Sequence, residues 1–149
     1  MIDREFLAPD DMWKRVENGN LLYVPVVTVH AADHAHVYLA GQMAREPTGE
    51  IVGKGDMAAQ LRKVCENIGK GLAHAGATFD DVVRSTTYVT NIDEYYRCSG
   101  VRFEYFRKNR PASVLIEVVR LGHREAMVEI EVEAIIEPER LKKAAALRK

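Results

Sequence analysis

Residues 127–136, M-V-E-I-E-V-E-A-I-I, leave a folding chain little choice. Val128, Ile130, Val132 and Ala134 alternate with Glu129, Glu131 and Glu133. A period of two is satisfied by an extended strand with one face in the core and not by a helix. Three carboxylates on one strand face repel one another, so that face must meet solvent, cationic partners or a shared site. Just upstream, residues 110–121 read R-P-A-S-V-L-I-E-V-V-R-L. Pro111 ends whatever precedes it, because its ring fixes φ and removes a donor. Val114, Leu115, Ile116, Val118 and Val119 then form a nearly continuous aliphatic run, interrupted by Glu117. Such a run predicts a strand buried on both faces. The two segments read as a hairpin-like pair, and function is expected there.

Taken in order, the rest of the chain supplies a sheet and two helices. Residues 1–20 are polar and mixed, with Pro9 and the lone Trp13, and read as an irregular lead-in with a short helical turn near residues 10–16. Residues 21–29, L-L-Y-V-P-V-V-T-V, predict a strand, and Pro25 within it argues for an edge or a bulge. A turn carrying His30, His34 and His36 leads to a short buried strand at residues 37–40, which ends at Gly41. Residues 43–55 read as a loop. Asp56 is a good N-cap, and Met57, Leu61, Val64, Ile68, Leu72 and Ala75 follow at spacings of three and four. Gly76 stops that helix. Residues 82–90, V-V-R-S-T-T-Y-V-T, predict a strand by their β-branched content. Asn91 or Asp93 caps a second helix running to about residue 108, with Tyr96, Phe103 and Phe106 as its apolar stripe. Residues 137–149 form a charged tail with room for a short helix.

The order is β β, helix, β, helix, β β within one domain of residues 1–149. That is an α+β plan, a mixed sheet with two helices on one face. The other face has no helix to cover it, and a closed oligomer is the economical way to bury it. A net charge of -1 gives no electrostatic case for nucleic acid or a membrane surface. No apolar run approaches the ~20 residues that span a bilayer. The N-terminus has early acids and no apolar core of a signal peptide. Cys65 and Cys98 lack metal-like spacing and read as free thiols of a reducing compartment, so the expected location is cytoplasmic. His30, His34 and His36 offer no closed ligand set, so no metal is expected.

Several pieces spread over residues 38–136 share an order and spacing with a known family. They are L-A-G-Q at 39–42, T-G-E-I at 48–51, E-N-I-G-K-G-L-A-H-A-G-A at 66–77 and V-V-R-S-T-T-Y-V-T-N-I from residue 82. E-Y-F at 104–106, R-P-A-S with its following strand, and V-E-I-E-V at 128–132 complete the set. On these pieces the chain resembles the RidA/YjgF family. The resemblance implies a chorismate-mutase-like fold, a homotrimer with a central β-barrel and clefts between subunits. It also implies hydrolysis of enamines and imines to a keto compound and ammonia, with no cofactor.

Carried over by position, the family's site departs from its archetype here. Where an arginine follows Pro-Ala in the archetype, this chain has Ser113. The serine before Gly41 and Gln42 becomes Ala40. An asparagine of the second helix falls near Ser99, and a tyrosine near the N-terminus falls near Val26 or Val27. The glutamate of the last strand is Glu129, with Glu131 as the second candidate. The resemblance thus implies Ala40, Gly41, Ser99, Ser113 and Leu115 as substrate contacts. The catalytic candidates are Glu129, Glu131 and His123, the last from the turn L-G-H-R-E, where an imidazole titrates near neutrality. Losing the arginine removes an ion pair worth about 2–5 kcal/mol in a desolvated site. Arg110 and Arg120 flank the strand, but Arg120 alternates onto the face of Val114, Ile116 and Val118, so neither is expected to substitute. The expected activity is a deaminase or hydrolase acting on a small enamine, imine or amino-unsaturated acid. The alternative is a non-catalytic trimer that binds a small metabolite in the same clefts. A third reading, action on RNA, is disfavoured by the balanced charge.

Overall fold

A computed structural model describes residues 1–141. Its strands are β1 (Asp3–Leu7), β2 (Val16–Glu17), β3 (Asn20–Leu21), β4 (Val26–His30) and β5 (Ala35–Gln42), followed by helix α1 (Met57–Ala75). Then come β6 (Val82–Val89), helix α2 (Ile92–Cys98), β7 (Ala112–Glu117) and β8 (Val128–Ile136). Six strands form one sheet in the order β1-β4-β5-β8-β6-β7, and β2 and β3 make a separate hairpin. Only β6 and β7 are parallel, joined through α2 and a 3-10 segment, Ser99–Glu104. The mixed sheet with two helices agrees with the α+β expectation.

Helix α1 forms as its sequence dictates. The Asp56 side chain accepts a 3.0 Å bond from the Ala59 N–H, and Gly76 closes the helix at φ 90°. Leu61, Val64, Ile68 and Leu72 are fully buried and pack on the sheet face carrying Val26, Val37, Val128, Ile130 and Ala134. Gly71 lets the helix approach closely, since a Cβ there would collide with Leu39. Gln60, also fully buried, ties the loops to this core. Its amide donates to the Glu125 carbonyl at 2.8 Å and the Gly53 carbonyl at 3.2 Å, and its oxygen accepts from the Met127 N–H at 2.8 Å. Every polar atom of the side chain is satisfied, which is the condition for burying an amide at low cost.

The structure corrects several expectations. Residues 1–20 are not irregular throughout: β1 pairs along the whole of β4, and β2 and β3 add a hairpin. Pro25 lies just ahead of β4, an interior strand, and its carbonyl accepts from Ala40 N at 2.8 Å. Helix α2 is shorter than expected. It is capped by Asn91 and ends at Cys98, and Tyr96 and Phe103 are exposed while Tyr95, Val101 and Phe106 are buried. Strand β7 is not buried on both faces but is an edge strand, its residues mostly exposed. Nor does it pair with β8, because β6 stands between them. The tail makes one 3-10 turn at Pro138–Arg140, where Arg140 grips the Asp81 carboxylate at 2.6 and 2.8 Å. The rest of the tail, with its expected helix, lies outside the described residues. Among the described residues no helix is long and apolar enough to cross a membrane.

Candidate functional site

Strand parity decides where the candidate side chains go. In β8, Val128, Ile130 and Val132 enter the core, so Glu129, Glu131 and Glu133 project from the helix-free face. They stand beside Tyr88, Thr86 and Arg84 of β6. In β7 the register matches Ser113 to Ser85 and Leu115 to Thr87, both buried residues of the helix side. The sheet therefore separates the carboxylates from Ser113 and Leu115 within one chain.

On the helix-free face, β5 carries an irregularity that shapes the surroundings of Glu129. Leu39 pairs with Val132 but Gln42 pairs with Ile130, so Ala40 and Gly41 oppose one residue. Such a bulge re-aims the backbone. It sets Gly41 against Glu129: a Cβ on Gly41 would lie 3.1 Å from the carboxyl carbon and closer still to Oε1. Among the described residues the Glu129 carboxylate has no hydrogen-bond or ion-pair partner. Burial pushes its pKa above the ordinary carboxylate range, and Glu131 adds to this while Arg45 opposes it. Glu131 differs in kind. It is exposed and accepts a 2.9 Å bond from the Tyr88 hydroxyl.

Two residues near Glu129 were not anticipated. Arg45, only 8% exposed, stacks its guanidinium 3.9 Å over the Trp13 ring and donates to the Gly49 carbonyl at 2.9 Å. Its Nε is buried without a partner. Tyr23 lines the same small recess as Gly41 and Arg45, and burial followed by the nearby Glu129 charge raises its hydroxyl pKa. Asn67 fixes the recess by donating to the carbonyls of Met43 at 3.0 Å and Arg45 at 2.9 Å. Ala40 lies instead on the wall of a hollow of about 550 Å³ on the same sheet face, together with Tyr88, Val114, Ile116 and Glu131.

On the helix side, a second cavity of about 290 Å³ opens between β7 and the segment after α2. It brings together Ser99, Ser113 and Leu115, three of the positions expected to touch a ligand. It also contains Arg102, which the sequence reading passed over. Arg102 donates to Thr87 Oγ1 at 2.8 Å, Ser85 Oγ at 3.1 Å and the Tyr95 hydroxyl at 3.3 Å. Ser85 in turn donates to Ser113 Oγ at 3.1 Å. The signal was available, since Arg102 lies three residues after Ser99 and side chains at that spacing share one side of a 3-10 turn. Arg110 lines the cavity too, contrary to the expectation that it only flanks the strand.

His123 joins neither place. It sits in the loop before β8, where its Nδ1 accepts from the Glu125 N–H at 3.1 Å. The three early histidines also diverge: His30 lies 3.3 Å from Asp3, His34 2.8 Å from Asp33 and His36 3.4 Å from Glu133. The Cys65 thiol is pushed up to about 12 by burial, which leaves it no thiolate at neutral pH.

A family model described as Endoribonuclease L-PSP matches residues 21–136. A RutC family protein of Pyrococcus abyssi is 41% identical over 96 residues, covering 64% of this chain and 74% of its own. The human 2-iminobutanoate/2-iminopropanoate deaminase is 28% identical over 102 residues, covering 68% of this chain and 74% of its own. Among solved structures, a Rid-family protein of Yersinia pestis superposes with a TM-score of 0.76 at 28% identity, over 90% of this chain and 100% of the other.

Proposed function

This chain belongs to the endoribonuclease L-PSP family, the RidA/YjgF family, and on that basis we propose that it hydrolyses a small enamine, imine or amino-unsaturated acid and releases ammonia. The observation that carries this reading is Glu129: half-buried, unpartnered, raised in pKa and held against a glycine at a strand bulge. A carboxylate so placed is a better proton acceptor than one in free solution, because Brønsted basicity rises with pKa. The 28% identity to a human deaminase of 2-imino acids points the same way.

The proposed chemistry needs a water, a base and a bound imine. An enamine first tautomerises to the imine, gaining a proton at carbon and losing one from nitrogen. Glu129 then removes a proton from water as the water oxygen bonds to the imine carbon and the C=N electron pair moves to nitrogen, and the carboxyl returns that proton to the nitrogen. The resulting carbinolamine expels ammonia and leaves the carbonyl compound. One imine and one water give one ketone and one ammonia.

We further propose that the working unit is a homotrimer with a cleft between neighbouring chains. Two features support it. The helix-free face leaves Phe6, Tyr38, Val114, Ile116 and Ile135 exposed. Ser113 and Glu129, which the family's cleft would unite, lie on opposite faces of one sheet. A cleft containing both draws them from different chains. The family description names a ribonuclease, but a net charge of -1 and three carboxylates on β8 present no cationic track to an RNA backbone.

The test is ammonia release from imines generated in place by an amino-acid oxidase, comparing wild type with Glu129→Gln. Acceleration by the wild type that is lost in the variant supports the reading. Equal rates for the two, or no acceleration over the spontaneous reaction across the panel, overturn it.

A further inference from the structure

Trp13, the only tryptophan in the chain, lies outside residues 21–136 matched by the family model and is not among the positions carried over from the family's site. The structure ties it down from both sides. Asp11 meets His74 in the last turn of α1 at 2.7 Å, and Lys14 donates to the Ala8 carbonyl at 3.2 Å and to Asp10 at 3.0 Å. Met12 is buried in the main core, where a Cβ on Gly71 of α1 would come within 3.2 Å of its methyl carbon. The turn from Glu46 to Gly49 closes on the indole, since a Cβ on Gly49 would stand 2.7 Å from its Nε1. Against this held ring lies the Arg45 guanidinium, whose Cζ is 3.9 Å from the ring centre.

Arg45 is the only buried arginine among the described residues, and its side chain makes one hydrogen bond there, to the Gly49 carbonyl at 2.9 Å, and no ion pair. Other arginines of the chain find carboxylates: Arg15 with Glu17, Arg62 with Glu104 and Arg140 with Asp81. Withdrawing a guanidinium from water without a counter-ion is costly, and a long side chain ordinarily turns its charged end outward. The Trp13 face opposes that turn, because a cation–π contact strengthens when it is desolvated. Arg45 and Gly41 line one recess, and the Glu129 carboxylate stands against Gly41. The charges acting on Glu129 are Glu131 on its own strand and Arg45, while Tyr23 and Tyr88 are the neutral titratable groups beside it. We propose that Trp13 is a positioning residue: its indole keeps the Arg45 cation buried beside Gly41, where that charge offsets the burial of the Glu129 carboxylate. The assignment rests on Glu129 as the base of the proposed deaminase. Trp13 acts through Arg45. Without the ring, the guanidinium extends to solvent and its pull on the carboxylate is screened.

The test is a double-mutant cycle read on the Glu129 carboxyl itself, by carbon-13 NMR titration of the full chain labelled at glutamate, with Glu129→Gln identifying the resonance. Arg45→Gln should raise the midpoint by about one pH unit. Trp13→Leu keeps an apolar contact but has no ring face, and should raise it by at least half as much. Trp13→Phe restores a face for the cation and should return the midpoint most of the way to wild type. Adding Trp13→Leu to Arg45→Gln should move it no further, because the effect of the ring passes through the arginine. A midpoint unmoved in folded Trp13→Leu overturns the proposal. So does an equal movement with and without Arg45, which is what a merely structural tryptophan would give. The titration needs no turnover, so a failed ammonia assay would overturn the deaminase reading without deciding this one.

Discussion

Gly41 and Glu129 stand so close that a single added methyl group on the glycine would lie 3.1 Å from the carboxyl carbon of the glutamate. The glycine is required for room and not for backbone freedom, as its φ lies outside the left-handed region.

Gly41→Ala should therefore act on the carboxylate and spare the fold. The side chain of Glu129 is flexible at its far end and can swing away. We expect ammonia-releasing kcat/KM to fall about 100-fold, the lower end of what a positioned acid or base contributes. The cost in stability should stay near 1 kcal/mol. Steady-state kinetics beside thermal unfolding would separate the two.

The raised pKa of Glu129 has two consequences of opposite sign. Activity needs the ionised form, so the acidic limb of the rate profile should lie above the ordinary carboxylate value of 4.5. Arg45→Gln should move that limb further up, since the Arg45 charge opposes the shift. For stability the folded state binds this proton more tightly than the unfolded chain, so the contribution of Glu129 declines as pH rises from 4.5 through the folded pKa. Glu129→Gln should consequently gain relative stability above that window and none below it. Urea unfolding of both proteins at acidic and neutral pH would show this.

Gln60→Leu preserves volume but strands the Glu125 and Gly53 carbonyls and the Met127 N–H, all now bonded to that side chain. Leaving such groups unsatisfied costs about 1–3 kcal/mol each, so a loss of at least about 3 kcal/mol is expected in urea denaturation. The loop before β8 should gain amide exchange first.

If Ser113 and Glu129 meet only across chains, two inactive variants can repair one another. Glu129→Gln and Leu115→Trp, each silent alone, should recover part of wild-type ammonia release when co-refolded. Mixed trimers contain at least one cleft built from two unaltered halves. No recovery from mixtures shown by native mass spectrometry to be mixed would refute the shared cleft.

Much of this fold was legible because local rules and tertiary placement agree. Asp56, the three-and-four spacing through Leu72, and Gly76 specify α1 without reference to the rest of the molecule. The alternation in β8 likewise reports one buried and one open face. Strand β7 misled because its composition records apolar content and not what covers it; its Val114 and Ile116 are exposed. Its pairing misled because proximity in sequence favours a hairpin, whereas β6 takes the place beside β8. β1 was hidden in D-R-E-F-L, which has no β-branched residue and gains its order from β4. Of the candidate site, Gly41, Glu129, Ser99, Ser113 and Leu115 were named through the family resemblance. Arg102, Arg45 and Tyr23 were not, because their roles arise from contacts and not from spacing.

The central place of β8 sets the timetable of folding. β5 and β6 each offer one bare edge until residues 128–136 arrive between them. On a ribosome those edges emerge long before their partner does, and the sheet closes through pairings such as Leu39 with Val132. Contacts of such separation make the step slow compared with forming α1. A chain cut before Val128 would therefore be two open sheets seeking other strands, not a smaller version of the protein.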